Sequence, residues 1–122
     1  MDYHLKINRG NTLRFDYSIL GGDTPYIFEE DDVIVFSIYE AFGLENEPKL
    51  SMEFKPEPDT SEITIVVPKD KMKFAPMSSM EQDYWYEITL NEETVLGFDD
   101  DGAKIITIYP EGKAPENGKE NN

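Results

Sequence analysis

Of the 122 residues, 26 are acidic and 11 basic, which gives a formal net charge of −15, and cysteine is absent. The lack of cysteine excludes a disulfide-stapled scaffold, thiolate metal sites and a cysteine nucleophile, while the charge repels phosphate backbones and anionic lipid, so neither nucleic acid nor membrane is an expected partner. With 39% hydrophobic and 12% aromatic residues, the chain is apolar enough to fold despite that charge.

No apolar run approaches the roughly 18 residues of a membrane-spanning helix. The opening Met1-Asp2-Tyr3-His4-Leu5-Lys6 shows no basic region followed by an apolar one, so no export signal is visible and the redox compartment stays open.

Alternation of apolar and polar residues dominates the chain. Leu5 and Ile7, between His4, Lys6 and Asn8, predict a short strand, followed by the turn Asn8-Arg9-Gly10-Asn11. From Thr12 to Ile19, Leu13, Phe15, Tyr17 and Ile19 share one face, as in a half-buried strand. The two strands are either antiparallel neighbours or a crossing between sheets. Gly21-Gly22-Asp23-Thr24-Pro25 breaks the pattern. Val33 to Tyr39 is then nearly all apolar and β-branched, as in a central strand covered on both faces.

Leu50, Met52 and Phe54 alternate with polar residues, Pro56-Glu57-Pro58-Asp59-Thr60 connects, and Glu62 to Val67 forms a further strand that stops at Pro68. The region 49–67 therefore reads as a hairpin. Between Pro68 and Gln82 the pattern is irregular, with room for a helical turn or two. Tyr84, Tyr86, Ile88 and Leu90 then share one face of a strand and Trp85, Glu87 and Thr89 the other. Asn91-Glu92-Glu93 turns the chain into a strand over 94–98, Asp99-Asp100-Asp101-Gly102 turns it again, and Ala103 to Tyr109 is the final strand.

About seven or eight short strands without a long helical pattern predict an all-β chain, an antiparallel Ig-like β-sandwich, with a small barrel as the alternative. The expected organisation is a single β-sandwich domain over residues 1–110 and a disordered polar tail over 111–122, which has one alanine and no larger apolar side chain.

The residues hold no recognisable catalytic constellation. His4 is the one histidine and has no identifiable nucleophile or orienting partner. The acidic runs Glu29-Glu30-Asp31-Asp32 and Asp99-Asp100-Asp101 lack the ligand spacing of a calcium loop and read as solvated turns. Neither a catalytic residue, a metal nor a cofactor is expected. Between Arg14 and Lys49 the chain has nine acids and no base, so an acidic surface facing a cationic partner is expected if these acids share one end.

Candidate binding residues are of three kinds. Trp85 would stack on a sugar ring if exposed. Phe74, Met77 and Met80 lie in the irregular loop and would dock a protein partner. Lys69, Lys71 and Lys73 form the basic local run, a solubilising segment or a contact to the acidic end of another copy.

Three stretches carry a family resemblance. Ile7-Asn8-Arg9-Gly10-Asn11-Thr12-Leu13-Arg14-Phe15, Gly22-Asp23-Thr24-Pro25-Tyr26-Ile27-Phe28 with the apolar strand after it, and Tyr84-Trp85-Tyr86-Glu87-Ile88 resemble the small β-sandwich structural proteins of tailed phages and prophages. They are similar to the N-terminal domain of siphophage upper-baseplate proteins. The chain departs from that pattern at Asn11, at Gln82-Asp83 and at Glu29 to Asp32. The resemblance implies a non-enzymatic virion structural or assembly protein, with other virion or assembly proteins, or further copies of itself, as partners, located in the virion or in the cytoplasm of a prophage-carrying cell. A carbohydrate- or cell-surface-ligand-binding sandwich is the alternative.

Overall fold

A computed structural model describes residues 4–21, 23–40, 47–77, 80–97 and 104–110. The expected tail 111–122 and the turn Asp99-Asp100-Asp101-Gly102 lie outside the described residues.

Among the described residues, ten strands and one short helix occur in the order β1 (Leu5–Asn8), β2 (Leu13–Tyr17), β3 (Leu20–Gly21), β4 (Thr24–Pro25), β5 (Ile34–Tyr39), β6 (Leu50–Phe54), β7 (Ile63–Val67), a 3₁₀ helix (Lys69–Lys73), β8 (Gln82–Leu90), β9 (Glu93–Leu96) and β10 (Ile105–Tyr109). All eight strands expected from alternation are present, and the Gly-rich breaker holds the two-residue pair β3–β4. The fold is all-β and sandwich-like.

Its larger sheet has the order β1-β10-β8-β5-β6, with β9 also on β8. One edge of β8 is shared, β10 taking its first half and β9 its last residues. The smaller sheet is the antiparallel pair β2–β7. Ile34, Phe36 and Ile38 from β5 and Tyr84, Tyr86 and Ile88 from β8 form the buried face of the larger sheet, while Leu13, Tyr17, Ile65 and Val67 approach from the smaller one. The rings of Phe15 and Phe36 meet across the sandwich at 5.6 Å and 65°, the edge-to-face geometry that aromatic quadrupoles favour.

Two expectations are corrected. β6 and β7 do not form a hairpin: β6 pairs with β5 and β7 with β2. The segment between them crosses from one sheet to the other, since Phe28 N–H donates to the Thr60 carbonyl and Asp59 N–H to the Phe28 carbonyl, tying it to the 26–32 loop instead of a tight turn. Pro56 and Pro58 contribute no N–H to a ladder in that segment. The sheet is also not wholly antiparallel. β1 pairs in parallel with β10, so the turn after β1 carries the chain into the other sheet, and β1 and β2 are not neighbours.

Candidate interaction site

The strand directions define two opposite ends. β7 starts at Ile63, beyond the Asp59–Thr60 contact to Phe28, and finishes at Val67 just before the 3₁₀ helix. β8 runs the other way, from Gln82, whose side chain donates to the Pro76 carbonyl, to Leu90 and the Asn91 turn. At about 3.3 Å per residue, β8 separates the two ends by roughly 26 Å.

At the first end, Asn11 N–H donates to the Asn8 carbonyl, and Gly10 takes φ 86°, the left-handed conformation that the third position of a type II turn requires. This turn leaves Arg9 pointing at the irregular loop. Its Nε donates to the Ala75 carbonyl at 2.6 Å, Nη2 to the Lys73 carbonyl at 3.2 Å and Nη1 to the Met77 sulfur at 3.2 Å. A guanidinium fork suits this task because it offers several N–H groups in one plane.

The loop is anchored from inside as well. Met72 and Ala75 are fully buried, and Phe74 packs edge-on against Tyr84 at 5.2 Å. Phe74 is therefore half-buried and takes part in the packing of the loop. Met77 and Met80 are the opposite case, 72% and 71% exposed. Lys69, Lys71 and Lys73 are also exposed, because the 3₁₀ helix turns Met72 inward and the lysines outward. The structure thus gathers six of the seven expected residues on one braced loop, five of them exposed.

Trp85 is not among them. It is half-buried on the outer face of the larger sheet, between its cross-strand neighbours Tyr39 and Ile105. The exposed indole that sugar stacking needs is not what this face presents. The buried face of the same strand holds Tyr84 and Tyr86, 4% and 3% exposed, as alternation predicts.

The other end is built around Asp32. Its Oδ2 accepts from the Tyr26 hydroxyl and the Glu29 N–H, both at 2.8 Å, and its Oδ1 accepts from Asn91 Nδ2 at 2.9 Å. Asn91 Oδ1 in turn accepts from Val33 N–H at 2.9 Å. The Glu29 backbone and the Asn91 side chain hold the Asp32 carboxyl below its ordinary pKa, and the Tyr26 phenol, donating to that carboxylate, is pushed up to about 12. Asp32 is buried, so reading all four acids of Glu29 to Asp32 as solvated is corrected at its last member. Glu29, Glu30 and Asp31 are exposed, as is Ile27, and an open depression of about 540 Å³ is lined by Ile27, Phe28, Glu29, Glu30, Pro58 and Asp59.

The nine acids between Arg14 and Lys49 do not share this end. Glu40 and Glu47 sit at the far ends of β5 and β6, where Glu40 pairs with Lys49 at 3.2 Å. Glu57 and Asp59 from the β6–β7 segment and Glu92 and Glu93 from the β8–β9 turn join Glu29, Glu30 and Asp31, with Lys55 just after the end of β6. His4 lies on the outer face of β1, its Nε2 2.6 Å from Thr107 Oγ1, whose hydroxyl donates to Asp83 Oδ1 at 2.6 Å. Thr107 is buried, so this chain of groups ties three strands together and offers no open nucleophile.

Among the described residues, no group of three or more His, Asp or Glu side chains gathers in a way that could hold a metal ion, and no helix is long and apolar enough to cross a membrane. Arg9, Ile27 and Asp32 are the residues that sequence reasoning missed. Ile27 had a signal, alternation through Tyr26-Ile27-Phe28, whereas Arg9 and the loop that it braces are 64–68 residues apart and share none. In comparison with known proteins, no family model and no curated sequence matches the chain.

Proposed function

We propose that this chain is a non-enzymatic protein–protein interaction module, an Ig-like sandwich that serves as a structural or assembly component of the phage or prophage virion type which its sequence resembles. The single observation that carries this reading is the pair Met77 and Met80. Large apolar side chains exposed on a loop that Arg9 holds in place make a preformed contact surface, and exposed methionine is adaptable in packing against a partner. Lys69, Lys71 and Lys73, exposed on the 3₁₀ helix that leads into this loop with Asp70 among them, favour an acidic protein surface opposite.

Docking needs no chemistry from the chain, which accords with a site made of apolar, basic and braced groups. The test combines sedimentation with co-purification. The chain is expected to form a complex with itself or with a virion component, and the Met77→Asp/Met80→Asp variant, folded by circular dichroism, is expected to lose it. A chain that is monomeric at all concentrations and binds no virion component overturns the reading, as does a variant that binds as well as the wild type.

A further inference from the structure

Among the described residues, three large hydrophobic side chains are exposed: Ile27, Met77 and Met80. They fall at the two opposite ends of the sandwich. The methionines sit with Lys69, Lys71 and Lys73, and Ile27 sits with Glu29, Glu30 and Asp31 beside the depression that Phe28 and Pro58 floor. Each end thus combines an apolar centre with charge: at the loop end Asp70 and Glu81 accompany the three lysines and Arg9, which leaves a small positive balance, whereas at the Ile27 end carboxylates outnumber Lys55.

We infer that copies of this chain associate head to tail, the Met77–Met80 loop of one copy seating on the Ile27 end of the next, with its three lysines against Glu29, Glu30 and Asp31. The inference rests on the reading of the chain as an interaction module and names the occupant of that surface. Charge selects the arrangement. A symmetric contact at the Ile27 end would put Glu29, Glu30 and Asp31 of two copies face to face, and a symmetric contact at the loop would oppose the lysines; like charges across an interface are strongly disfavoured. The mixed contact sets all three lysines against a carboxylate-rich end and methionine against isoleucine, whereas a symmetric loop contact offers them Asp70 and Glu81 alone.

Both surfaces are held in place before contact. Arg9 braces one loop and Asp32 the other, so little ordering has to accompany docking. Because the two patches are different and lie at opposite ends, the contact is heterologous: it closes into a ring if the rotation between copies allows, and otherwise propagates as a filament. The overall charge of −15 opposes association at long range, so the contact is expected at moderate salt, where the Debye length of about 8 Å at 0.15 M screens the bodies more than the paired patches.

The test is a complementation of two blocked variants in analytical ultracentrifugation at about 0.15 M salt. Ile27→Asp blocks one end and Met77→Asp/Met80→Asp the other, each at exposed positions, with circular dichroism confirming the fold. The wild type is expected to form species larger than a dimer, each variant alone to be monomeric, and a mixture of the two variants to form a one-to-one heterodimer through the remaining intact ends. In a second pair, Lys71→Glu is expected to weaken assembly at least tenfold and Glu30→Lys in the same chain to restore part of it. An Ile27→Asp protein that still dimerises, or a mixture that stays monomeric, overturns the head-to-tail contact. A wild type that is monomeric yet binds a different virion protein through Met77 and Met80 overturns it too, and leaves the interaction-module reading standing.

Discussion

The Arg9 guanidinium donates to the Ala75 carbonyl at 2.6 Å across 66 residues of chain, so a turn that leaves the larger sheet at one point braces the irregular loop at another. Arg9→Ala is expected to lower stability by roughly 1–2 kcal/mol, to shift the melting temperature down by about 5 °C and to open the loop over 73–77 to proteolysis. Limited digestion followed by mass spectrometry reads the cut sites. Arg9→Lys should recover only part of the loss, since an ammonium cannot serve Lys73, Ala75 and Met77 together.

Asp32 makes stability depend on acid. Its folded pKa is below the ordinary carboxylate value, so its contribution is complete above the unfolded value and is lost as pH falls through the folded one. Urea unfolding between pH 7 and pH 3 should therefore show a decline that is shallower in Asp32→Ala. At pH 7 that variant is expected to lose about 2 kcal/mol, because the Glu29 N–H and Asn91 amide lose their acceptor.

The β8–β9 turn offers a stabilising change. Asn91 and Glu92 take φ 51° and φ 74° between paired Leu90 and Glu93, the positive values of a type I′ hairpin. Asn is suited to this conformation and Glu is not. Glu92→Gly is expected to raise stability by roughly 0.5–1 kcal/mol, measured by denaturant midpoint with an unchanged slope.

Phe36 is fully buried and touches the rings of both Phe15 and Tyr86. Phe36→Leu keeps an apolar side chain but loses ring contacts with the opposite sheet and with β8. A cost of about 1–2 kcal/mol is expected in thermal unfolding, with near-ultraviolet circular dichroism of the aromatic residues reduced.

Strand positions are legible where a strand has one buried face, and the exposed two-residue β4 has none. In β8, burial follows the alternation of Tyr84, Tyr86 and Ile88 against Trp85 and Glu87. Strand partners were not legible in the same way. Leu50, Met52 and Phe54 face the core from one sheet and Ile63, Ile65 and Val67 from the other, so their alternation is the same as that of a hairpin. What separates the cases is the pairing of Phe28 with Asp59 and Thr60, a contact between segments about thirty residues apart. The candidate site divides likewise. Met77, Met80, the three lysines and Phe74 stand out as side chains, whereas an aromatic in an irregular loop gives no sign of the Tyr84 ring that receives Phe74. Asp32 reads like its three acidic neighbours in the sequence, because one of its donors, Asn91, comes from a turn 59 residues away.

The parallel ladder between β1 and β10 sets an order of events during synthesis. His4 and Thr107, which meet across it, are 103 residues apart, so a ribosome releases β1 long before the strand that receives it exists. Until then β1 has no place in the larger sheet, and its apolar Leu5 and Ile7 have no neighbouring strand to lie beside. The antiparallel pairs among β5, β6, β8 and β9 join segments closer in sequence and can assemble first. Closure by β1 is therefore the late step, and the stretch from β1 to the Arg9 turn is the part of a nascent chain that most needs shielding from neighbours on the same message.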